Sequence, residues 1–317
     1  MVVCIASAWM AGCTSVGHRI TGQYYLETRN YRDGIEAFEP VARQASGDWS
    51  IYYYLGRFYL SEDQPEDALR ALTAASLLNP ENADTQFWLG VTHYRLDRAD
   101  LERRSYLKAL KIDNRHLFAR AYLAHNLLEQ KNYSEALKHY QIVLSRDPDH
   151  SDALYNRALI LGKLDRTPEE IIAWKAYLAR CPSGARSRLA VDRLNRLGDF
   201  AYRNVLVGKR TVTLETIHFL PFDDDLAVQS RPSLDLLGAM LENNRKIVLN
   251  ALVFQKNNVS LAEARAKRIK KYLLIHFPGI RPDRIRVSWF KEPETIRISK
   301  RTVHRQDESV RFFTQWL

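Results

Sequence analysis

The sequence lacks the residue patterns on which most enzyme and metal sites are built. It has three cysteines, Cys4, Cys13 and Cys181, and no Cys-x-x-Cys pair, His-Glu-x-x-His segment or phosphate-cradling glycine loop. Its nine histidines are scattered, which favours ordinary strand or helix-end positions over metal ligands. We therefore expect no enzymatic activity, no cofactor and no metal.

Long apolar runs are also missing. No run approaches the 18 consecutive apolar residues of a transmembrane helix, and the hydrophobic content of 46% is ordinary for a globular protein. The acidic triplet Asp223-Asp224-Asp225 is interpreted as a solvated turn, with a divalent-cation site as the alternative. A length of 317 residues allows two domains.

A period of 34 residues runs through the first half of the chain. A small residue recurs at this spacing, at Gly22, Gly56, Gly90, Ala124 and Ala158. Sixteen residues after each small residue stands a large one: Phe38, Leu72, Tyr106, Tyr140 and Trp174. Prolines that stop a helix close three units, at Pro80, Pro148 and Pro182. The period predicts stacked pairs of antiparallel helices.

These positions resemble the tetratricopeptide repeat (TPR) family, of which five units fit. The resemblance implies an α solenoid that holds a partner segment in a groove lined by the first helices. The predicted groove residues are Tyr52, Gln86 and Asn126. Two units depart from the pattern and are expected to be distorted: unit three at Glu102 and Asn114, and unit five at Arg157 and Glu170. The alternative is a set of unrelated amphipathic helices.

The first thirteen residues form an apolar stretch that ends in Met10-Ala11-Gly12-Cys13. This resembles a bacterial lipoprotein signal, which implies that Cys13 is lipidated and that Thr14 and Ser15 direct the protein to the outer membrane. No Lys or Arg precedes Cys13, so the usual positive n-region is absent. A start codon assigned too late would explain this departure. The alternative is an apolar arm that packs on the first repeat.

If the signal is removed and Cys13 is lipidated, no intrachain disulfide is available, because Cys181 alone remains. We interpret Cys181 as a small core residue at a helix end, with a reactive thiol as the alternative.

After the repeats the hydrophobic pattern changes. Apolar residues at helical spacing from Ala185 to Leu206 predict a capping helix, followed by a linker at Gly208-Lys209-Arg210. Beyond it, strands are predicted at 212–220, 247–254, 285–289 and 310–313, and helices at 232–243 and 261–277. This alternation predicts a small α/β sandwich. The predicted domains are a signal peptide (1–13), the solenoid (14–184), the cap and linker (185–210) and the sandwich (211–317).

The sandwich resembles the OmpA-like domain, a family of periplasmic modules that bind peptidoglycan. Three segments carry the resemblance: Ile217-x-Phe219, Leu261-Ala262-Glu263-Ala264-Arg265-Ala266 and Gly279-Ile280-x-x-Asp283-Arg284-Ile285. The family binds a diaminopimelate group through an Asp and an Arg, and Arg265 keeps the second of these.

The other ligand positions are altered. Phe254 stands where the family has its Asp, and Glu308 and Ser309 stand where it has paired arginines. The resemblance therefore implies the fold without ordinary peptidoglycan binding, so that peptidoglycan is a weak or absent partner. Arg265 is then either a solvated helix residue or a residual ligand.

Positive charge is concentrated at the carboxyl end. From Arg245 onward there are 17 Lys and Arg against 6 Asp and Glu, an excess of 11 that accounts for the net charge of +10. Such a region favours an anionic neighbour: an acidic protein, lipid phosphate or acidic glycan. The alternative is a solvated basic surface, and no nucleic-acid motif is present.

Together these features predict a non-enzymatic outer-membrane lipoprotein that faces the periplasm. Its expected role is that of a scaffold or accessory subunit of an envelope-spanning machine, such as a secretion system, a pilus or a flagellar motor. The expected partners are other proteins of that complex and outer-membrane lipid, reached through acylated Cys13. The alternatives are a peptidoglycan-binding anchor that uses Arg265, and a cytosolic TPR adaptor with an unprocessed amino terminus.

Overall fold

The first part of the chain is a series of helices. The computed structural model describes residues 3–44, 47–298 and 302–317, with side chains from residue 15 onward. The helices are α1 (Val3–Thr28), α2 (Tyr31–Arg43), α3 (Trp49–Ser61), α4 (Pro65–Leu78), α5 (Ala83–Arg95), α6 (Ala99–Ile112), α7 (Leu117–Glu129), α8 (Tyr133–Arg146), α9 (Ser151–Lys163), α10 (Thr167–Arg180) and α11 (Ala185–Arg196). From α2 to α10 each has 13 or 14 residues. The predicted solenoid of helix pairs is confirmed.

The turn inside each pair has a left-handed backbone residue, again at a spacing of 34. These residues have φ between 55° and 59°: Arg29, Asp63, Asp97, Lys131 and Asp165. Left-handed residues other than glycine are uncommon, and Asp tolerates this region better than most. The periodic turn thus reverses the chain between the two helices of every pair.

The small residues of the period allow the helices of a pair to approach closely. A Cβ atom on Gly56 would lie 2.4 Å from Cγ of Leu72, and one on Gly90 would lie 2.2 Å from Cε1 of Tyr106. Leu72 and Tyr106 are themselves fully buried. The small residue and the large residue of these two periods therefore pack directly against each other, one from each helix of the pair.

Units three and five are not distorted, which corrects the expectation from their unusual residues. Glu102 is buried and accepts a hydrogen bond from Nδ2 of Asn126 at 2.8 Å. Glu170 is also buried and accepts bonds from Arg193 Nε at 2.6 Å and Nη2 at 2.9 Å, and from Trp174 Nε1 at 3.0 Å. Each buried carboxylate has hydrogen-bond donors, so the helices keep their regular lengths.

The rest of the chain is a small mixed α/β region. Its elements are β1 (Tyr202–Val207), β2 (Arg210–Glu215), α12 (Arg231–Asn243), β3 (Ile247–Gln255), α13 (Val259–His276), β4 (Ile285–Phe290), β5 (Glu294–Arg297), β6 (Val303–Gln306) and β7 (Glu308–Trp316). The central strand β3 pairs in parallel with β4 and antiparallel with β7, while β1–β2 and β5–β6 are antiparallel pairs. Leu249, Ala251 and Val253 of β3 lie in its core. The strands predicted at 247–254, 285–289 and 310–313 and both predicted helices agree with the observed elements to within a few residues.

Two parts of the prediction for this region are corrected. The capping helix ends at Arg196, and residues 202–207 form β1, because Val205 and Val207 are buried while Leu206 between them is exposed. Gly208, with φ of 63°, lies in the turn to β2 and not in a linker. In the predicted strand 212–220, β2 ends at Glu215 and the later residues contribute a single bridge, between Phe219 and Leu226.

The chain divides into two compact units, Met1–Ala153 and Leu154–Leu317, and the division falls within α9. The domain boundaries derived from the sequence stay predictions. Among the described residues, no helix has the length and apolar character that crossing a bilayer requires.

Candidate partner-binding surfaces

Arg57 of α3 lies between two aromatic side chains of the first helices. Its Cζ is 4.6 Å from the Trp88 ring centroid and 5.5 Å from that of Tyr53, and its Nη1 donates to Oη of Tyr53 at 3.3 Å. No hydrogen bond to a described residue uses its buried Nε. A guanidinium stacked between two rings can receive a carboxylate without moving.

The aromatic character continues onto α7. Phe87 is buried, and its ring centroid lies 6.2 Å from that of Phe118 and 5.3 Å from that of Tyr122. Phe118 and Tyr122 are nevertheless 64% and 41% exposed. We call Tyr53, Arg57, Trp88, Phe118 and Tyr122 the first-helix surface. It combines aromatic rings and one cation, which is a composition typical of protein-binding sites.

Asp84 and His116 hold the end of this surface in place. His116 Nε2 lies 3.1 Å from Oδ1 of Asp84, and His116 Nδ1 accepts the backbone N–H of Ala119 at 3.1 Å, which caps α7. The hydrogen bond from His116 lowers the pKa of Asp84. The pair therefore links α5 to the start of α7, beside Phe118.

Two of the three predicted groove residues are buried inside the repeats, and the assignment of the third, Tyr52, stays a prediction. Gln86 is 2% exposed and donates to Oγ of Ser76 at 2.7 Å. Asn126 is 1% exposed and is bonded to Glu102. Tyr52 is half-buried, and its hydroxyl donates to the carbonyl of Ala42 at 3.0 Å. These contacts correct the assignment of Gln86 and Asn126, because buried side chains with partners inside the chain cannot face a ligand.

Two histidines of the repeats give a pH dependence. Burial lowers the pKa of His93 and that of His139, and the Nδ1 atom of each is buried without a described hydrogen-bond partner. A depressed histidine pKa means that the unfolded chain binds more protons, so stability is present above the unfolded value near 6.5 and is lost as pH falls toward the folded value. We expect Tm to fall by about 2–4 °C between pH 7.5 and 5.5. The His93→Gln/His139→Gln double variant should show a flatter profile by calorimetry, and an unchanged slope would contradict this origin.

Arg265, the residual peptidoglycan-type position, is a buried residue of α13. Its Nε donates to the carbonyl of Asp223 at 2.9 Å, and its Nη1 donates to Gln255 and, at 2.9 Å, to Oε2 of Glu308. The guanidinium also lies 4.8 Å from the centroid of the Phe219 ring. Arg265 is therefore not the solvated residue that was one of the two expectations.

Glu308 supplies a carboxylate that balances the charge of Arg265. Burial opposes its ionisation, but hydrogen bonds from Gln255 and Arg265 outweigh that effect and lower the pKa of Glu308. At the neighbouring altered position, Phe254 stacks on Phe290 with ring centroids 5.0 Å apart. The charge of Arg265 is thus balanced by a carboxylate of the same chain, and Phe254 belongs to an apolar pair.

The acidic triplet is tied to the same helix. Asp224 and Asp225 each form an ion pair with Arg268 at 3.0 Å, while Asp223 accepts the backbone N–H of Asp224. Carboxylate oxygens of the three residues lie within 4.8 Å of one another, but they are engaged by an arginine and by backbone amides. These contacts favour the interpretation as a turn.

Cys181 is a half-buried free thiol, and the predicted lipidation of Cys13 falls outside the described side chains.

Comparison with known proteins agrees with the helical half of the fold. The tetratricopeptide repeat model TPR_16 matches residues 21–64, 59–116 and 123–185, which together make up half of the chain. A curated relative, the BBSome complex member BBS4 of Mus musculus, is 27% identical over 120 residues. That match covers 38% of this chain and 23% of the relative, so the chain spans about a quarter of its length.

Two solved structures share the fold at low identity. PilF of Pseudomonas aeruginosa has a TM-score of 0.54 at 14% identity, over 74% of this chain and 92% of PilF. PilW, described as a widely conserved type IV pilus biogenesis factor, has a TM-score of 0.51 at 15% identity, over 58% of this chain and 86% of PilW. No enzymatic family is indicated by these matches, and none of them supports the OmpA-like resemblance. The extent of the repeat match shows that the chain belongs to the tetratricopeptide repeat family.

Proposed function

We propose that this TPR protein is a non-enzymatic scaffold subunit of a bacterial envelope-spanning machine of the pilus-assembly kind. The first-helix surface would bind a segment of a partner protein. The observation that carries the proposal is the exposure of Phe118 and Tyr122, which the ring of Phe87 connects to Trp88 and so to the stacked cation of Arg57. Exposed aromatic side chains around a pre-positioned arginine are costly to leave in water and are typical of interface hot spots.

The chemistry of this surface favours an acidic or carboxyl-terminal segment with apolar side chains. The rings of Tyr53 and Trp88 flank the Arg57 guanidinium, whose described hydrogen bond runs from Nη1 to the neutral hydroxyl of Tyr53. A carboxylate would form a charge-assisted bond there, while Phe118 and Tyr122 would cover an apolar side chain. The fold shared with PilW, a pilus biogenesis factor, supports a pilus machine as the setting.

The envelope location is part of the same proposal. The sequence around Cys13 supports acylation and outer-membrane anchoring, because the small residues Ala11 and Gly12 precede the cysteine. Two or three acyl chains would give stable membrane attachment. The carboxyl-terminal unit would be a second docking surface and would not bind peptidoglycan, since Arg265 is engaged by Glu308.

Photo-cross-linking in cells tests this function. A photoreactive residue at Tyr122 is expected to capture an envelope protein, and the additional substitution Arg57→Glu should reduce that product by about tenfold, because a stacked charge pair contributes about 1.4 kcal/mol or more. The matched control is the same probe at Leu107 of α6, which is 49% exposed and lies outside the first-helix surface. When the same cells are fractionated, the Cys13→Ala variant of the cross-linked protein should be absent from the outer-membrane fraction.

Two outcomes would contradict the proposal. Equal products from Tyr122 and Leu107 would mean that the first-helix surface has no special role. Capture of cytosolic proteins by a chain with an intact amino terminus would favour the cytosolic adaptor.

A further inference from the structure

Helix α1 carries an apolar face that no described residue covers. Val16, Ile20 and Tyr24 are 46%, 67% and 55% exposed. With Arg19, Gln23 and Glu27 of the same helix they line an open groove of about 600 Å³, which Tyr54 of α3 also borders. We call the six α1 residues the α1 end face. They lie at i, i+3, i+4, i+7, i+8 and i+11, which is one side of a helix.

The later repeats show what such a face is built to contact. Tyr24 corresponds, in steps of 34 residues, to Phe58, Thr92 and Asn126, which are at most 1% exposed. At two of these positions the contact with the preceding helix pair is direct. Phe58 packs on Phe38 of α2 with ring centroids 5.7 Å apart, and Asn126 is bonded to Glu102 of α6.

The position of Ile20 follows the same rule. Its counterparts each touch the first helix of the preceding pair: Tyr54 meets Gly22, Trp88 lies under Arg57, and Tyr122 packs on Phe87. The α1 end face is therefore equivalent to the surfaces that the later first helices turn toward the preceding pair, and no described residue covers it. Solenoids usually close such a face with a polar capping helix, whereas three of the six residues of this face are large, apolar and exposed.

The charges on the face identify the occupant. Arg19 and Glu27 are both exposed and stand eight residues apart, about 12 Å along the helix, with Gln23 midway between them. No described residue forms an ion pair with Arg19, and Glu27 accepts only the neutral amide of Gln23, at 2.9 Å. A helix with one positive and one negative end is complementary to an antiparallel copy of itself.

We propose that two copies of this chain associate through their α1 end faces, antiparallel, about a two-fold axis near Gln23. Arg19 of each copy then faces Glu27 of the other, and Ile20 of each packs beside Tyr24 of the other. An isologous contact of this kind buries the same face twice. It involves residues 16–27 only, so it is independent of the processing at Cys13 and of the partner bound by the first-helix surface.

Charge reversal tests the register of this dimer. In the full chain carrying Cys13→Ser, analytical ultracentrifugation should find a dimer at micromolar concentration. Arg19→Glu and Glu27→Arg should each weaken the dimer by at least about tenfold, because each places like charges opposite one another at two symmetric positions. The double variant should restore the dimer, and so should a mixture of the two single variants, in which every pair is again of opposite sign.

Circular dichroism spectra of all the variants should match the parent, because both side chains are exposed. A parent chain that stays monomeric would overturn the proposal, as expected if a partner helix or a membrane covers the face. Single variants that remain dimeric would place the contact elsewhere. Failure of both the double variant and the mixture to restore the dimer would exclude the antiparallel register.

Discussion

Tyr106→Ala is expected to lower the free energy of unfolding of the compact unit Met1–Ala153 by about 3–5 kcal/mol. The ring is fully buried, and it packs between Phe87 and Tyr122 with ring centroids 6.0 and 5.8 Å apart. Its edge also occupies the space that Gly90 leaves open. Truncation would leave a cavity between helices that their other contacts hold in place. The shift of the urea midpoint, followed by far-ultraviolet circular dichroism, measures the loss.

Two variants separate packing from hydrogen bonding at this position. The Tyr106 hydroxyl is buried without a described hydrogen-bond partner, so Tyr106→Phe should change stability by less than about 1 kcal/mol. Gly90→Ala should cost about 1–3 kcal/mol in the wild type through overpacking, but much less in the Tyr106→Ala background, where space has been created. Strictly additive losses would show that Gly90 and Tyr106 do not share one contact.

Arg265→Met is expected to destabilise the carboxyl-terminal unit by about 2–4 kcal/mol without changing its binding to purified sacculi. The substitution removes the donors to Gln255, Glu308 and the Asp223 carbonyl while it keeps most of the volume of the side chain. Glu308 is partly exposed, so water takes over some of its lost bonding and holds the effect in the lower part of this range. Hydrogen exchange of the β3 amides measures the loss.

The matched control is Arg268→Met on the same helix. Its ion pairs with Asp224 and Asp225 are partly exposed, and such pairs contribute little to stability because water screens them. Wild-type protein should not be retained by sacculi. Retention that disappears in Arg265→Met while the β3 amides stay protected would instead identify Arg265 as a ligand and restore the anchor hypothesis.

The burial of individual polar residues could not be predicted from the period. Gln86 and Asn126 lie on first helices, as expected, but a polar side chain on such a helix can face either solvent or the preceding pair. Their partners, Ser76 and Glu102, are on those preceding pairs. Likewise, Arg265 and Glu308 are 43 residues apart. Long-range pairing of this kind leaves no periodic signal.

The boundary between cap and sheet shows a related ambiguity. Residues 189–205 have apolar side chains at helical spacing, yet Val205, Leu206 and Val207 alternate in burial once β1 pairs with β2. A short apolar segment fits both the helical period of about 3.6 residues and the strand period of two residues. Pairing with a partner strand therefore decides which structure it forms.

The sequence by itself determined the helix pairs, because a small residue opposite a large one every 34 residues is a local packing rule repeated along the chain. It also determined the central strands, whose apolar runs fit a buried sheet. Only the tertiary structure decided which polar residues are buried and which aromatic residues stay exposed. It also decided that no described residue covers the face of α1. These properties depend on what lies next to a side chain in space, which a periodic sequence pattern does not record.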